Sequence, residues 1–307
     1  MQASDDRRGD PRQRFLFDEL DIRGVLVQLE ESWAPVRNAH VYPAPVQRLL
    51  GELLTAAALL SSIIKIRGTL TVQASGDGPI AAVMAECRNH SELRGIARLR
   101  DAAAIPAGDT SAAQSTELLG KGLITITIRP EGGEPYQGIV PLDGTTVAGA
   151  LEGYFARSEQ IPTRIWLSSG TQRTGGLLLQ ALPAEQARQR RTGNERAEDF
   201  NRVSMLADTV TDAELQDLPG EQLLGRLFHE EQVTLQASES LAFVCSCSLE
   251  RTREALRAMS AEELEEILRE EGRIEMTCQF CHTVYRFDQI DIALVHERPA
   301  PSPGPAH

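Results

Sequence analysis

Positive charge is what this chain most lacks. Its 31 Lys and Arg face 44 Asp and Glu across 307 residues, a net of −13 with a pI near 5.0. Phosphate-backbone affinity comes from clustered basic side chains, so this balance argues against nucleic acid as a partner. Long hydrophobic runs are missing too. The longest uncharged apolar stretch, Leu53 to Ile64, lies between Glu52 and Lys65. It falls short of the ~20 residues a membrane span needs, so it reads as a buried helix and no membrane association is expected. Met1 to Arg14 mixes Asp and Arg and lacks the apolar core of a signal peptide. A cytosolic location, with thiols reduced at rest, is the expectation.

Catalytic signatures are lacking as well. No Walker loop, G-x-G-x-x-G or H-E-x-x-H occurs, and six scattered histidines give no spacing for a nucleophile and its base. Gly76-Asp77-Gly78-Pro79 is a turn, too short for a phosphate loop. The reading is therefore of a protein that is not an enzyme.

Cysteine is scarce, with five residues, yet four of them are concentrated near the C-terminus. They read Cys245-x-Cys247 and, after 30 intervening residues, Cys278-x-x-Cys281. Four thiolates in two tight pairs match the ligand set of a tetrahedral zinc ion, and the same sulfurs can instead close two disulfides. Spacing alone leaves open a structural zinc ribbon that docks a partner, a dithiol–disulfide oxidoreductase and a redox switch. No thioredoxin-like pattern surrounds the C-x-x-C, which counts against the second. A metal ion would tie the start of this segment to its end. Disulfides inside each pair would bridge only one or two residues, so oxidation within pairs would untie the segment. His282, next to Cys281, is an alternative ligand that four thiolates make superfluous. His229 and His296 read as surface or packing residues, and Cys87 as a small buried hydrophobe in a strand.

The remaining pattern predicts an α+β protein. Its N-terminal domain has a mixed or antiparallel sheet with helices, followed by a helical linker and a small C-terminal zinc-binding α/β domain. Strands are predicted over residues 24–30, 69–74, 80–87, 93–99, 123–128, 136–141, 164–167 and 176–182, with helices over 43–66 and 145–157. Composition shifts after Pro183. Residues 184–199 carry no apolar side chain larger than alanine and predict a solvated helix or mobile linker. Leu215, Leu218, Leu223, Leu224, Leu227 and Phe228 then fit short amphipathic helices, with a cap at Thr211-Asp212 and a break at Pro219-Gly220. Around the cysteines, helices are predicted over 249–258 and 261–271, capped by Ser260, and strands over 274–276 and 284–287. The expected divisions are 1–182, a linker over 183–232, a zinc-binding domain over 233–297 and a disordered tail over 298–307.

Several stretches besides the cysteines resemble the family of the bacterial 33 kDa chaperonin, a redox-regulated heat-shock holding chaperone. They are Gly76-Asp77-Gly78-Pro79, Arg94-Gly95-Ile96-Ala97-Arg98, Ile124-Thr125-Ile126-Thr127, Tyr154 through Arg164 and Phe228-His229-Glu230-Glu231. The likeness runs from about Phe15 to Val295. It implies one Zn(2+) per chain held by Cys245, Cys247, Cys278 and Cys281 in a reduced, inactive form. It further implies that peroxide or hypochlorite, with heat, forms Cys245–Cys247 and Cys278–Cys281 disulfides, releases zinc and unfolds the linker. The oxidised form would dimerise and bind unfolding client proteins without ATP. The Arg188-Gln189-Arg190-Arg191 run and the Pro-rich tail carry no family motif.

Overall fold

The computed structural model describes residues 9–64, 67–108, 111, 116–142, 146–183 and 192–295. By contacts the chain divides into two compact units between Val244 and Cys245.

The first unit begins β1 (Asp10–Phe17), β2 (Ile22–Leu29), α1 (Trp33–Asn38), α2 (Ala44–Ile63), β3 (Gly68–Ser75), β4 (Ile80–Arg88) and β5 (Glu92–Leu99). It continues β6 (Leu123–Pro130), β7 (Tyr136–Pro141), α3 (Val147–Tyr154), β8 (Thr163–Ser169) and β9 (Thr174–Ala181). Then come α4 (Gly193–Ala207), α5 (Asp212–Asp217), α6 (Gly220–Leu227), β10 (Val233–Leu235) and β11 (Glu239–Phe243). The strands form one sheet in the order β7-β6-β3-β4-β5-β11-β1-β2-β9-β8, with β10 on β1. Every ladder is antiparallel except β11 beside β5. Short glycine-rich connections allow only such pairings, since a parallel step needs a long crossover. The parallel pair has one, the whole stretch from β5 to β11.

α2 is the pivot of the core. Among the described residues it is the one helix with the length and composition of a membrane span. Its leucines and alanines are buried on nearly every side, from Val46 and Leu49 to Leu60. An all-round apolar helix belongs inside, and here the sheet encloses it. Gly176 on β9 lets the two approach, because a Cβ there would sit 2.7 Å from Thr55 and 3.0 Å from Leu59.

Half of the sheet is covered on both faces. Val25 and Val27 of β2 and Leu178 of β9 point to the α2 core. Their neighbours Leu26, Leu177 and Leu179 join a second core with Phe15 and Phe17, closed by Phe200, Val203, Leu215, Leu223, Leu224, Leu227 and Phe228. Strands buried on both sides read as continuous apolar runs, which is why β9 carries three leucines in a row. The helices over α4 to α6 supply this cover. α4 and α5 start with reciprocal caps, Thr192 with Glu195 and Thr211 with Glu214, and Pro219 opens α6.

Several predicted boundaries move. β1, α1, β10 and β11 were not expected from pattern. The predicted helix over 145–157 is α3 followed by a π-turn over Phe155–Glu159. α4 extends back into the charged linker, where Arg196 reaches the Leu182 carbonyl and Asp21, and its apolar anchoring begins at Phe200. The Arg188–Arg191 run, His296 and the Pro-rich tail lie outside the described residues.

The second unit holds α7 (Leu249–Leu256), α8 (Ala261–Glu271), β12 (Ile274–Thr277), β13 (Val284–Phe287) and α9 (Gln289–Val295). α8 and β13 match their predicted spans, α7 stops at Leu256, two residues short, and α9 was not foreseen. Its core consists of Leu256, Leu264, Ile274, Phe287, Ile292 and Val295. Six buried apolar side chains among the described residues, with Met259, Ile267, Leu268, Met276 and Tyr285 half-buried against them, are few for an autonomous fold, so a further tie is needed.

Candidate metal centre

Two turns present the four cysteines. Cys245 and Cys247 lie on the extended segment just before α7. Ser248 caps that helix, its Oγ accepting the Arg251 N–H at 3.2 Å, while Arg251 reaches back to the Ser246 carbonyl (2.9 Å) and hydroxyl (2.7 Å). The helix start thereby fixes the first pair. Cys278 and Cys281 occupy the turn between β12 and β13, closed by Cys278 N–H to Thr283 O and His282 N–H to Cys278 O, both 2.9 Å. His282 takes a left-handed φ of 57° there.

All four sulfurs lie within 4.8 Å of one another. Two close approaches cross between the pairs, Cys245 to Cys278 at 3.6 Å and Cys247 to Cys281 at 3.4 Å. A metal–sulfur bond of about 2.3 Å in a tetrahedron sets sulfurs about 3.8 Å apart, so this donor set fits a thiophilic ion such as zinc. All four are free thiols. His282 is not part of the group, and Cys87, buried in β4 with its thiol 3.1 Å from Ser61 Oγ, is not either. His229 is exposed, with Glu230 at 3.8 Å.

The thiols differ in acidity. Burial pushes Cys245 up to about 12 and raises Cys247. At Cys281 burial acts the same way, but hydrogen bonds from the Thr283 hydroxyl and backbone, with those shared with Cys247 and Cys245, together outweigh it and lower the thiol to about 6. Thr283 and Tyr285, whose hydroxyl donates to Cys247 Sγ at 3.2 Å, surround the sulfurs with polar partners. Such outer partners orient ligands and tune a metal site. No spacing rule flags them, although the period-two alternation of β13 places Tyr285 on the same face as the buried Phe287.

Residues 10–288 match the family described as Hsp33 protein. The chain belongs to the Hsp33 family. It is 45% identical to a 33 kDa chaperonin of Shewanella woodyi, over 93% of this chain and 95% of that one. It is 41% identical to the 33 kDa chaperonin of Cronobacter sakazakii, over 97% and 99%. The crystal structure of the 33 kDa chaperonin from Thermotoga maritima superposes with a TM-score of 0.76 over 92% of this chain and 97% of that one, at 23% identity. The α+β fold is thereby shared, and Hsp33 membership supports a chaperone function.

Proposed function

We propose that this chain is an ATP-independent holding chaperone gated by its four cysteines. The observation that carries this reading is the joining of two distant cysteine pairs into one group of sulfurs within 4.8 Å. In the reduced, resting form Cys245, Cys247, Cys278 and Cys281 hold one zinc ion, which cross-links the segment before α7 to the turn after β12. Zinc bound at such thiolate sites supplies on the order of 10–16 kcal/mol of apparent folding free energy. A core of six side chains depends on that contribution.

Each pair oxidises separately. Two thiols lose two electrons and two protons to hydrogen peroxide, one S–S bond forms, and two water molecules leave. Repeating this at the second pair gives Cys245–Cys247 and Cys278–Cys281. Neutral disulfide sulfurs are poor metal donors, and each new loop is too short to replace the long-range tie. The segment then unfolds, and the helices over α4 to α6 detach from the apolar face of β1, β2 and β9. That exposed surface binds unfolding proteins in the cytoplasm, and the active form is a homodimer. The roles divide as client binding and dimerisation in 1–182, linker in 183–232, switch in 233–297 and tail in 298–307.

Peroxide with mild heat is expected to release about one zinc per chain and to suppress aggregation of an unfolding enzyme without nucleotide. Loss of zinc with no protection would refute the chaperone gating. Protection by the reduced, zinc-loaded form at full strength would refute the redox control. Catalytic reduction of insulin disulfides would favour an oxidoreductase.

A further inference from the structure

β11 occupies an unusual place in the sheet. Among the described residues it supplies the ladder between the β7-β6-β3-β4-β5 half and the β1-β2-β9-β8 half. It pairs antiparallel with β1 through Asp10↔Leu241, Pro11↔Ser240 and Arg12↔Glu239, and parallel with β5 through Ala242↔Glu92 and Phe243↔Leu93. Five short register pairs hold it, against eight between β2 and β9. It is also the strand that runs, after Val244, directly into Cys245. A short ladder at the end of a segment due to unfold is the first to open.

The space β11 fills does not depend on β11 for its shape. α2 packs on β2, β8 and β9 of one half and on β3, β4 and β5 of the other. On the β1 side, the Asp10 carboxylate accepts N–H bonds from Glu30, Glu31 and Ser32 at 2.7–3.0 Å. On the β5 side, His90 Nδ1 lies 2.8 Å from the Ser61 carbonyl of α2. Withdrawing β11 leaves a slot one strand wide, with unpaired backbone groups on both walls. Such edges are templates for added strands.

The slot also has side-chain preferences. Arg12 is 2% exposed, and its guanidinium is bound to Glu239, to Ala58 O at 3.2 Å and to Ser61 Oγ at 2.8 Å. Without Glu239 it is a buried cation lacking its carboxylate, a costly state that an incoming acidic side chain relieves. Leu241 is fully buried in the α2 core and Phe243 packs against it. Residues two apart share a face of a strand, so the occupant alternates acidic, apolar, apolar at positions 239, 241 and 243.

We propose that β11 is an internal stand-in for client, and that its slot between β1 and β5 takes an extended client segment of pattern acidic-x-apolar-x-apolar by strand addition. This rests on the oxidative release described above. The probe is a labelled peptide Ser-Glu-Ser-Leu-Ala-Phe-Val, copied from residues 238–244, mixed with the full chain while client protection is measured in parallel. The oxidised protein is expected to bind it at least ~10-fold more tightly than the reduced, zinc-loaded protein. The peptide carrying Glu239→Gln is expected to bind about 10-fold more weakly, since it leaves the buried Arg12 without its half-buried carboxylate partner. Saturating peptide is expected to reduce protection, the apolar face of β1, β2 and β9 remaining open. Equal binding to both states, indifference to Glu239→Gln, or undiminished protection under saturating peptide would each overturn the slot. Peptide that dissociates an oxidised dimer yet leaves protection intact would assign the slot to a second copy of this chain instead. Absence of any protection before peptide is added refutes the chaperone gating and leaves the peptide affinities to judge the slot independently.

Discussion

Cys245 and Cys278 are 33 positions apart in the chain, and their sulfurs are 3.6 Å apart in the fold. The contact closes a loop containing α7, α8 and β12.

Cys278→Ser removes one of four donors and is expected to lower zinc content well below one per chain. Metal released to a colorimetric chelator after denaturation reads this directly. A retained full equivalent of zinc would dismiss Cys278 as a ligand.

Removing the metal from the reduced wild-type chain with a strong chelator tests the dependence of the second unit on it. Amides in 249–295 are expected to exchange freely, because six buried apolar residues cannot hold them alone. Those in β2 and β9 should keep their protection. Slow exchange throughout 249–295 without metal would show that the small core suffices.

Leu223, on α6, is fully buried in the core that joins the covering helices to β2 and β9. Truncation to Ala leaves a cavity and costs about 2–5 kcal/mol. Faster hydrogen exchange over α4 to α6 and activation at a lower temperature are the expected outcomes. Unaltered exchange there would mean that this face contributes little to docking.

Glu52 lies fully buried on α2, and its Oε1 has no hydrogen-bond donor among the described residues. Burial raises its carboxyl to about 8, with Arg48 opposing and Asp212 reinforcing the shift. The folded chain therefore keeps a proton that the unfolded chain releases near 4.5. Stability from this group is full below the unfolded value and is lost as the pH rises through about 8. Glu52→Gln should flatten the decline in urea-unfolding free energy between about pH 5 and pH 8.5. Parallel pH profiles for the two proteins would remove Glu52 as its source.

Cys87 is 1% exposed, and burial pushes its thiol up against the smaller opposing effect of its Ser61 contact. It is expected to react with a thiol reagent only after denaturation, and Cys87→Ala should leave oxidant-driven zinc release unchanged. Loss of that release in the variant would bring Cys87 into the switch.

Most strands were legible because their alternation and the turn residues between them are local signals. β7, α8 and β13 match their predicted spans. β1 escaped notice because Asp10, Pro11, Arg12, Gln13 and Arg14 look like loop, and only burial against β2, β10 and β11 makes Asp10 and Arg12 inside residues. β11 was missed for a related reason. A five-residue strand with partners on distant segments leaves almost no trace in its own composition.

By itself the sequence determined the family, the α+β class, the four cysteines and the chemistry they share, since residue type and short spacing decide thiolate coordination. Only the tertiary structure decided which sulfurs meet across the two pairs, which leucines cover β2 and β9, and that β11 joins the halves of the sheet. Those relationships depend on contacts between residues far apart in the chain, where no periodicity records the partner.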